Sequence, residues 1–203
     1  MCGKCAHACY SEALQIIGRH ITVDEVMKEV LLDISFYNDS GGGMTLSGGE
    51  PTMQPEFSLE LLKQAQFYKI HTAIETNGYC DPSILKSIMP FCNLFLYDIK
   101  ADDELHKRLT GAPFTPIKNN LFMLHNASAR IWIRLPMIPG INDSNLRIQH
   151  TADLIKSLPD IEAVEIVPFH PLHKSKLQKI GAKMVMPETE IPNDTIINQW
   201  VVQ

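Results

Sequence analysis

From Thr22 onward the chain alternates two hydrophobic periods. Val23, Val26, Met27, Val30 and Ile34 recur at helical spacing. That stretch opens on Thr22-Val23-Asp24-Glu25, a capping box in which threonine and the glutamate three residues on satisfy each other's backbone amides. Gly41-Gly42-Gly43 is expected to close this helix, because glycine accepts positive φ. Short apolar runs follow at 44–46, 72–74 (with Ile70 just before), 94–97, 131–135 and 164–167. Each leads toward a helical stretch, and helices are predicted at 55–68, 82–88, 102–109, 114–127 and 143–158. Asp81-Pro82 supplies an N-cap and a proline at the first helical position, and Ile148, Ala152 and Ile155 form the apolar stripe of the last helix.

Strand alternating with helix predicts an α/β fold with a parallel sheet and right-handed crossovers. Parallel strands are expected to be buried on both faces, which suits these Val-, Ile- and Leu-rich runs. No G-x-G-x-x-G follows the first strand, which removes the main support for a dinucleotide-binding fold. Polar residues cluster where each run ends: "SGGEP", "ETNG", "DIK", "PMIPG" after Arg134, and "PFH". In a βα barrel those ends form one rim, where chemistry sits. The expected architecture for residues 21–203 is a partial (β/α) TIM-like barrel.

Composition narrows the partners. The 203 residues can bury one sizeable core, and 45% hydrophobic with 20% charged content is ordinary for a globular chain. A net charge of −5 gives a nucleic-acid partner no general support. No run of apolar residues is long enough for a membrane span, and no leader pattern opens the chain, so the expected setting is the reducing cytoplasm. Three of the five cysteines, Cys2, Cys5 and Cys9, crowd into "MCGKCAHACY". Their C-x2-C-x3-C spacing matches the last three cysteines of a ferredoxin cluster motif, with Tyr10 where proline is usual. Iron–sulfur ligation is preferred over a zinc site, for which only His7 and His20 stand near, and over a disulfide framework. Residues 1–20 are read as the C-terminal part of a ferredoxin-like insert.

The rim offers complementary charges. Ser47, Gly48, Gly49 and Glu50 bring bare backbone close to a ligand, or else form a plain strand-to-helix turn. Glu75 and Asp98 can bind an amino group or a small cation, or serve as helix caps. Lys100 and Arg134 can hold a carboxylate, the arginine through a bidentate fork, or be surface charges. His170, between Phe169 and Pro171, can hydrogen-bond a ribose or carboxylate, or be structural. Together they describe a site for a zwitterion such as an amino-acid head group.

"GGGMTLSGGEP", "IETNG", "YDIK", "WIRLPMIPG" and "IVPFH", in this order, resemble the glycyl-radical-enzyme activating enzymes of the radical S-adenosylmethionine superfamily, the group that includes the pyruvate formate-lyase activases. The resemblance runs from about Cys2 to His170. It implies that Ser47, Gly48, Gly49 and Glu50 take the methionine end of S-adenosylmethionine, with Asn77 of "IETNG" beside them. Lys100, Arg134 and His170 would surround its carboxylate and ribose, and Glu75 and Asp98 would lie at its amino group or at a monovalent cation. It further implies reductive cleavage of S-adenosylmethionine at a four-iron–four-sulfur cluster, a glycyl-radical enzyme as protein substrate, and an electron donor such as flavodoxin or ferredoxin. The C-x3-C-x2-C motif that holds the radical cluster in this family does not occur here, and Cys80 and Cys92 are isolated. The chain is therefore expected to lack the first barrel strand, to be inactive alone, and to self-associate through its open edge. The alternatives are a cluster-free binding or docking module, an electron-transfer module built on the cysteine head, and a radical enzyme acting on a small molecule.

Overall fold

Five strands lie side by side in sequence order: β1 (Gly43–Leu46), β2 (His71–Thr76), β3 (Leu94–Asp98), β4 (Ile131–Met137) and β5 (Ala163–Pro168). The structure is a computed structural model describing residues 2–171, 181 and 189–202. Every neighbouring pair of strands is parallel. The described helices are α1 (Lys4–His7), α2 (Val23–Leu32), α3 (Ile34–Ser40), α4 (Pro55–Phe67), α5 (Pro82–Ile88), α6 (Asp103–Thr110), α7 (Thr115–Asn126), α8 (Asn145–Lys156) and α9 (Asp194–Val202). Sequential order with helical crossovers is the arc of a βα barrel, since each right-handed crossover places its helix on the same side of the sheet.

The core lies on that side. Leu62 of α4, Leu85 and Ile88 of α5, and Ile117, Leu121 and Leu124 of α7 pack against Ile74, Phe95, Tyr97, Ile131 and Ile133. Burying each of these large side chains stabilises by about 1.5–3 kcal/mol. A second cluster joins Met27 of α2, Met44 of β1, Leu61 and Ala65 of α4, and Ile70. The Tyr97 hydroxyl donates to the carbonyl of Ile117 at 2.7 Å, so even the polar tip of this buried ring is satisfied.

The other face departs from the expectation of burial on both sides. Thr45 and Glu165 are exposed, and His71, Glu75, Leu96, Asp98, Trp132 and Arg134 are only half-buried. The strand pleat sends alternate residues to this face, and it is where the charged residues Glu75, Asp98, Arg134 and Glu165 reside. The first long helix also differs. The capping box at Thr22 is formed, but Asp33, at φ −99° and ψ 10°, separates α2 from α3. Leu32 and Phe36, on either side of that break, are exposed, while Leu31 and Tyr37 pack against the second cluster from the two shorter helices. Gly41 at φ +67° then ends α3. Among the described residues no helix is long and apolar enough to cross a membrane.

Candidate functional site

β1 runs out into Ser47-Gly48-Gly49, all three exposed. Gly48 adopts φ +112°, which disfavours any side chain. A Cβ added at Gly49 meets no atom within 4 Å. The contrast with Gly43 and Gly78 is informative, because Cβ atoms there would fall 1.8 Å from the His71 carbonyl oxygen and 1.7 Å from the Tyr97 hydroxyl. Packing requires those two glycines. Nothing in the protein's own packing requires Gly49, whose main chain stands open to a ligand.

Glu50 is turned the other way. Its carboxylate accepts from the backbone N–H (3.2 Å) and hydroxyl (2.8 Å) of Thr52, from the Thr76 hydroxyl (2.8 Å) and from the Asn77 N–H (2.9 Å). It thereby caps the short turn Pro51–Met53 and fastens the exit of β1 to that of β2. The Asn77 side chain accepts from the Tyr79 N–H at 2.8 Å, and buried Asn120 donates to the carbonyls of Gly78 (2.8 Å) and Cys80 (2.9 Å). Both side chains assigned to the ligand from the sequence, Glu50 and Asn77, are engaged in shaping the cradle. Burial raises the Cys80 thiol's pKa and pushes that of Cys92 up to about 12, so both stay neutral thiols.

The charged residues meet on the open face. The Ser47 hydroxyl donates to Glu75 Oε2 at 2.6 Å, and Arg134 Nη1 donates to Glu75 Oε1 at 2.6 Å. Arg134 Nε donates to Glu165 Oε2 at 3.0 Å, and Lys100 Nζ lies 3.4 Å from Asp98 Oδ2. Register explains the meeting: Asp98, Arg134 and Glu165 are direct partners across β3, β4 and β5, and Glu75 pairs with Leu96, two residues before Asp98 on the same face. Burial raises the pKa of Asp98, with Lys100 and Arg134 opposing and Glu75 reinforcing the shift. For Arg134, burial disfavours the charge, but Glu75, Asp98 and Glu165 outweigh it and hold its pKa above the ordinary value. Glu165 was not among the residues singled out from the sequence. Its signal was its place between Val164 and Ile166 on a strand whose neighbour carries Arg134. His170 is exposed just past β5, where the Phe169 N–H donates to the Met137 carbonyl at 2.9 Å.

The cysteine head is arranged differently. Cys2 and Cys5 are exposed and Cys9 is half-buried. A contact with the Ser11 hydroxyl at 3.5 Å is the leading cause of a lowered Cys9 pKa. Among the described residues no three His, Cys, Asp or Glu side chains form a group that could hold a metal ion. The structure thus does not gather Cys2, Cys5 and Cys9 into a ligand set, and the donor set for an iron–sulfur cluster is not assembled among these residues. The rim suits a zwitterion better, having an open glycine main chain flanked by paired charges of both signs.

The profile of the Radical SAM superfamily matches residues 3–152. The chain is 40% identical over 195 residues to the isethionate sulfite-lyase activating enzyme of Nitratidesulfovibrio vulgaris, a match covering 95% of this chain and 63% of that enzyme. It is 34% identical over 174 residues to the pyruvate formate-lyase-activating enzyme of Clostridium pasteurianum, covering 85% of this chain and 73% of that one. Among solved structures, a domain of the pyruvate-formate lyase-activating enzyme from Bacteroides vulgatus matches with a TM-score of 0.66 at 27% identity, over 79% of this chain and 91% of that domain. The chain spans less than two thirds of the length of the isethionate sulfite-lyase activating enzyme it matches.

Proposed function

We propose, from the premise that this chain belongs to the Radical SAM superfamily and to its glycyl-radical-enzyme activating branch, that its strand rim binds S-adenosylmethionine and serves an activase that installs a glycyl radical on a partner enzyme. The observation that carries this reading is Gly49: its main chain is exposed and no protein atom stands where a side chain would be. Ser47, Gly48 and Gly49 receive the amino-acid head of the ligand. Lys100 and Arg134 take its carboxylate, Glu75 and Asp98 take its ammonium or a monovalent cation beside it, and His170 takes the ribose. Glu50 and Asn77 act from behind by fixing the cradle's exit through hydrogen bonds of 2.8–3.2 Å.

The charge pairing supports a zwitterionic ligand on physical grounds. Arg134 is already paired with Glu75 and Glu165, and Lys100 with Asp98. A ligand carrying one carboxylate and one ammonium can exchange into such pairs while every charge keeps a partner. A ligand of one sign would leave a half-buried charge unpaired, which is costly. Hydrogen abstraction would need one-electron reductive cleavage of the bound S-adenosylmethionine at a four-iron–four-sulfur cluster, whose C-x3-C-x2-C motif does not occur in this sequence; the residues named here would bind and orient the S-adenosylmethionine. A flavodoxin or ferredoxin is the proposed electron donor and a glycyl-radical enzyme the proposed protein substrate.

Anaerobic titration calorimetry with S-adenosylmethionine tests the reading. Saturable binding to the intact chain, weakened at least about tenfold in Arg134→Met by loss of a charged hydrogen-bond donor, is the expected result. Heats indistinguishable from dilution, or an unchanged affinity in that variant, would overturn it.

A further inference from the structure

Beyond the residues that face the ligand, the turn after β4 contains a side chain with three strong bonds and no assigned role. Asn142 is buried at 7% exposure. Its Oδ1 accepts from the Ile138 N–H at 2.7 Å, and its Nδ2 donates to the Pro136 carbonyl at 2.7 Å and to the Lys100 carbonyl at 2.8 Å. The last of these spans 42 positions in sequence and joins the exit of β3 to that of β4.

The need for this link follows from the strands. The β3–β4 ladder has the Ile99 N–H donating to the Arg134 carbonyl at 2.9 Å. In a parallel ladder the next bond would run from the N–H of residue 136 back to the Ile99 carbonyl. Residue 136 is proline, with no N–H to give. Backbone pairing of β3 to β4 cannot continue past Arg134 in that register, and Lys100 lies just beyond. The Asn142 amide ties the two strand exits together at the level where the ladder has run out.

We propose that Asn142 is the positioning residue that holds Lys100 in place on the rim. It acts through the Lys100 main chain, keeping Nζ beside Asp98 and within the same charged group as Arg134. As a proposal about ligand affinity it rests on the S-adenosylmethionine reading above. As a proposal about Lys100 it stands on the hydrogen bonds alone.

The experiment has two arms that separate those claims. In the first, the intact protein and Asn142→Ala are treated with an amine-acetylating reagent, and acetylation of each lysine is followed by mass spectrometry. The expected result is that Lys100 reacts several-fold faster in Asn142→Ala while Lys63 and Lys156, on α4 and α8, keep their rates. A role confined to overall stability would leave the ratio of Lys100 to these two unchanged, and that result overturns the proposal. In the second arm, S-adenosylmethionine affinity is measured for Asn142→Ala, Lys100→Met and the double variant. Asn142→Ala is expected to weaken binding about five- to tenfold, the worth of one well-made hydrogen bond. The double variant is expected to bind no more weakly than Lys100→Met, because Asn142 acts through Lys100. Additive losses would overturn the proposal. If the unaltered protein shows no affinity for S-adenosylmethionine, the functional reading fails, and the acetylation ratio still decides the role of Asn142.

Discussion

In the strand rim, Ser47, Glu75, Arg134 and Glu165 are joined side chain to side chain from the exit of β1 through β2 and β4 to β5, with Asp98 and Lys100 at the exit of β3 paired beside them. In the head, no residue from 2 to 20 is buried, and Tyr10, Leu14, Ile16 and Ile17 lie exposed. The two regions carry the two most conspicuous motifs of the chain, yet only one becomes a constellation. The difference lies underneath. Three of the rim residues each follow a side chain locked in the core: Glu75 follows Ile74, Asp98 follows Tyr97 and Arg134 follows Ile133, and those three core residues are fully buried. The cysteines have no apolar layer beneath them, so their spacing alone does not fix where their thiols point. Functional geometry is as well defined as the packing it is mounted on.

The sharpest way to break this comparison is to strike the layer below the rim. Gly78→Ala would place a Cβ 1.7 Å from the hydroxyl of a Tyr97 that is fully buried and bonded to Ile117, at φ +69°. Denaturant titration should show a loss of more than about 3 kcal/mol, from overpacking and backbone strain together. A milder result would mean that the rim's footing is more pliable than described. Arg134→Met removes the cation shared by Glu75 and Glu165 and should cost about 1–3 kcal/mol at neutral pH. Arg134→Lys should restore only part of this, since an ammonium cannot reproduce two directed bonds.

A smaller effect concerns pH. The Asp98 pKa is raised above its ordinary 3.8, chiefly by burial. The native state therefore binds this proton more tightly than the unfolded chain does. Its contribution to stability is fully present below pH 3.8 and is lost as pH rises through the elevated value. Asp98→Asn should remove that part of the stability–pH slope, and an unchanged slope would show that the carboxylate is less desolvated than its surroundings imply. The smallest effect belongs to the head. Gly18, at φ +90°, has no atom within 4 Å of an added Cβ. With no packing to disturb, Gly18→Ala should cost only the backbone strain of a positive φ, about 1–2 kcal/mol, in the same denaturant titration.

The elements were legible in the sequence because local pattern and core agree. The predicted helices at 55–68, 82–88 and 114–127 became Pro55–Phe67, Pro82–Ile88 and Thr115–Asn126, and each apolar run became a strand. The spacing of Ile34 fits one long helix, but spacing does not reveal the non-helical backbone of Asp33, at φ −99° and ψ 10°, that divides it in two. The rim was legible as a set of residue types at strand ends. What could not be read was which way each side chain faces. Glu50 is the clearest case: its partners Thr76 and Asn77 lie 26 and 27 positions away, so no local pattern distinguishes a carboxylate that meets a ligand from one that fastens two strands. Glu165 and Asn142 were missed for the same reason, since each takes its meaning from a neighbouring strand's exit.

Calorimetric titration of S-adenosylmethionine into Gly49→Ala, beside the unaltered chain, tests the central claim most directly. Because no protein atom lies within 4 Å of the new methyl group, the account predicts a stability unchanged within about 0.5 kcal/mol and an affinity reduced at least about tenfold. Equal affinity in the two proteins would contradict it, as would an unaltered chain that fails to bind S-adenosylmethionine at all.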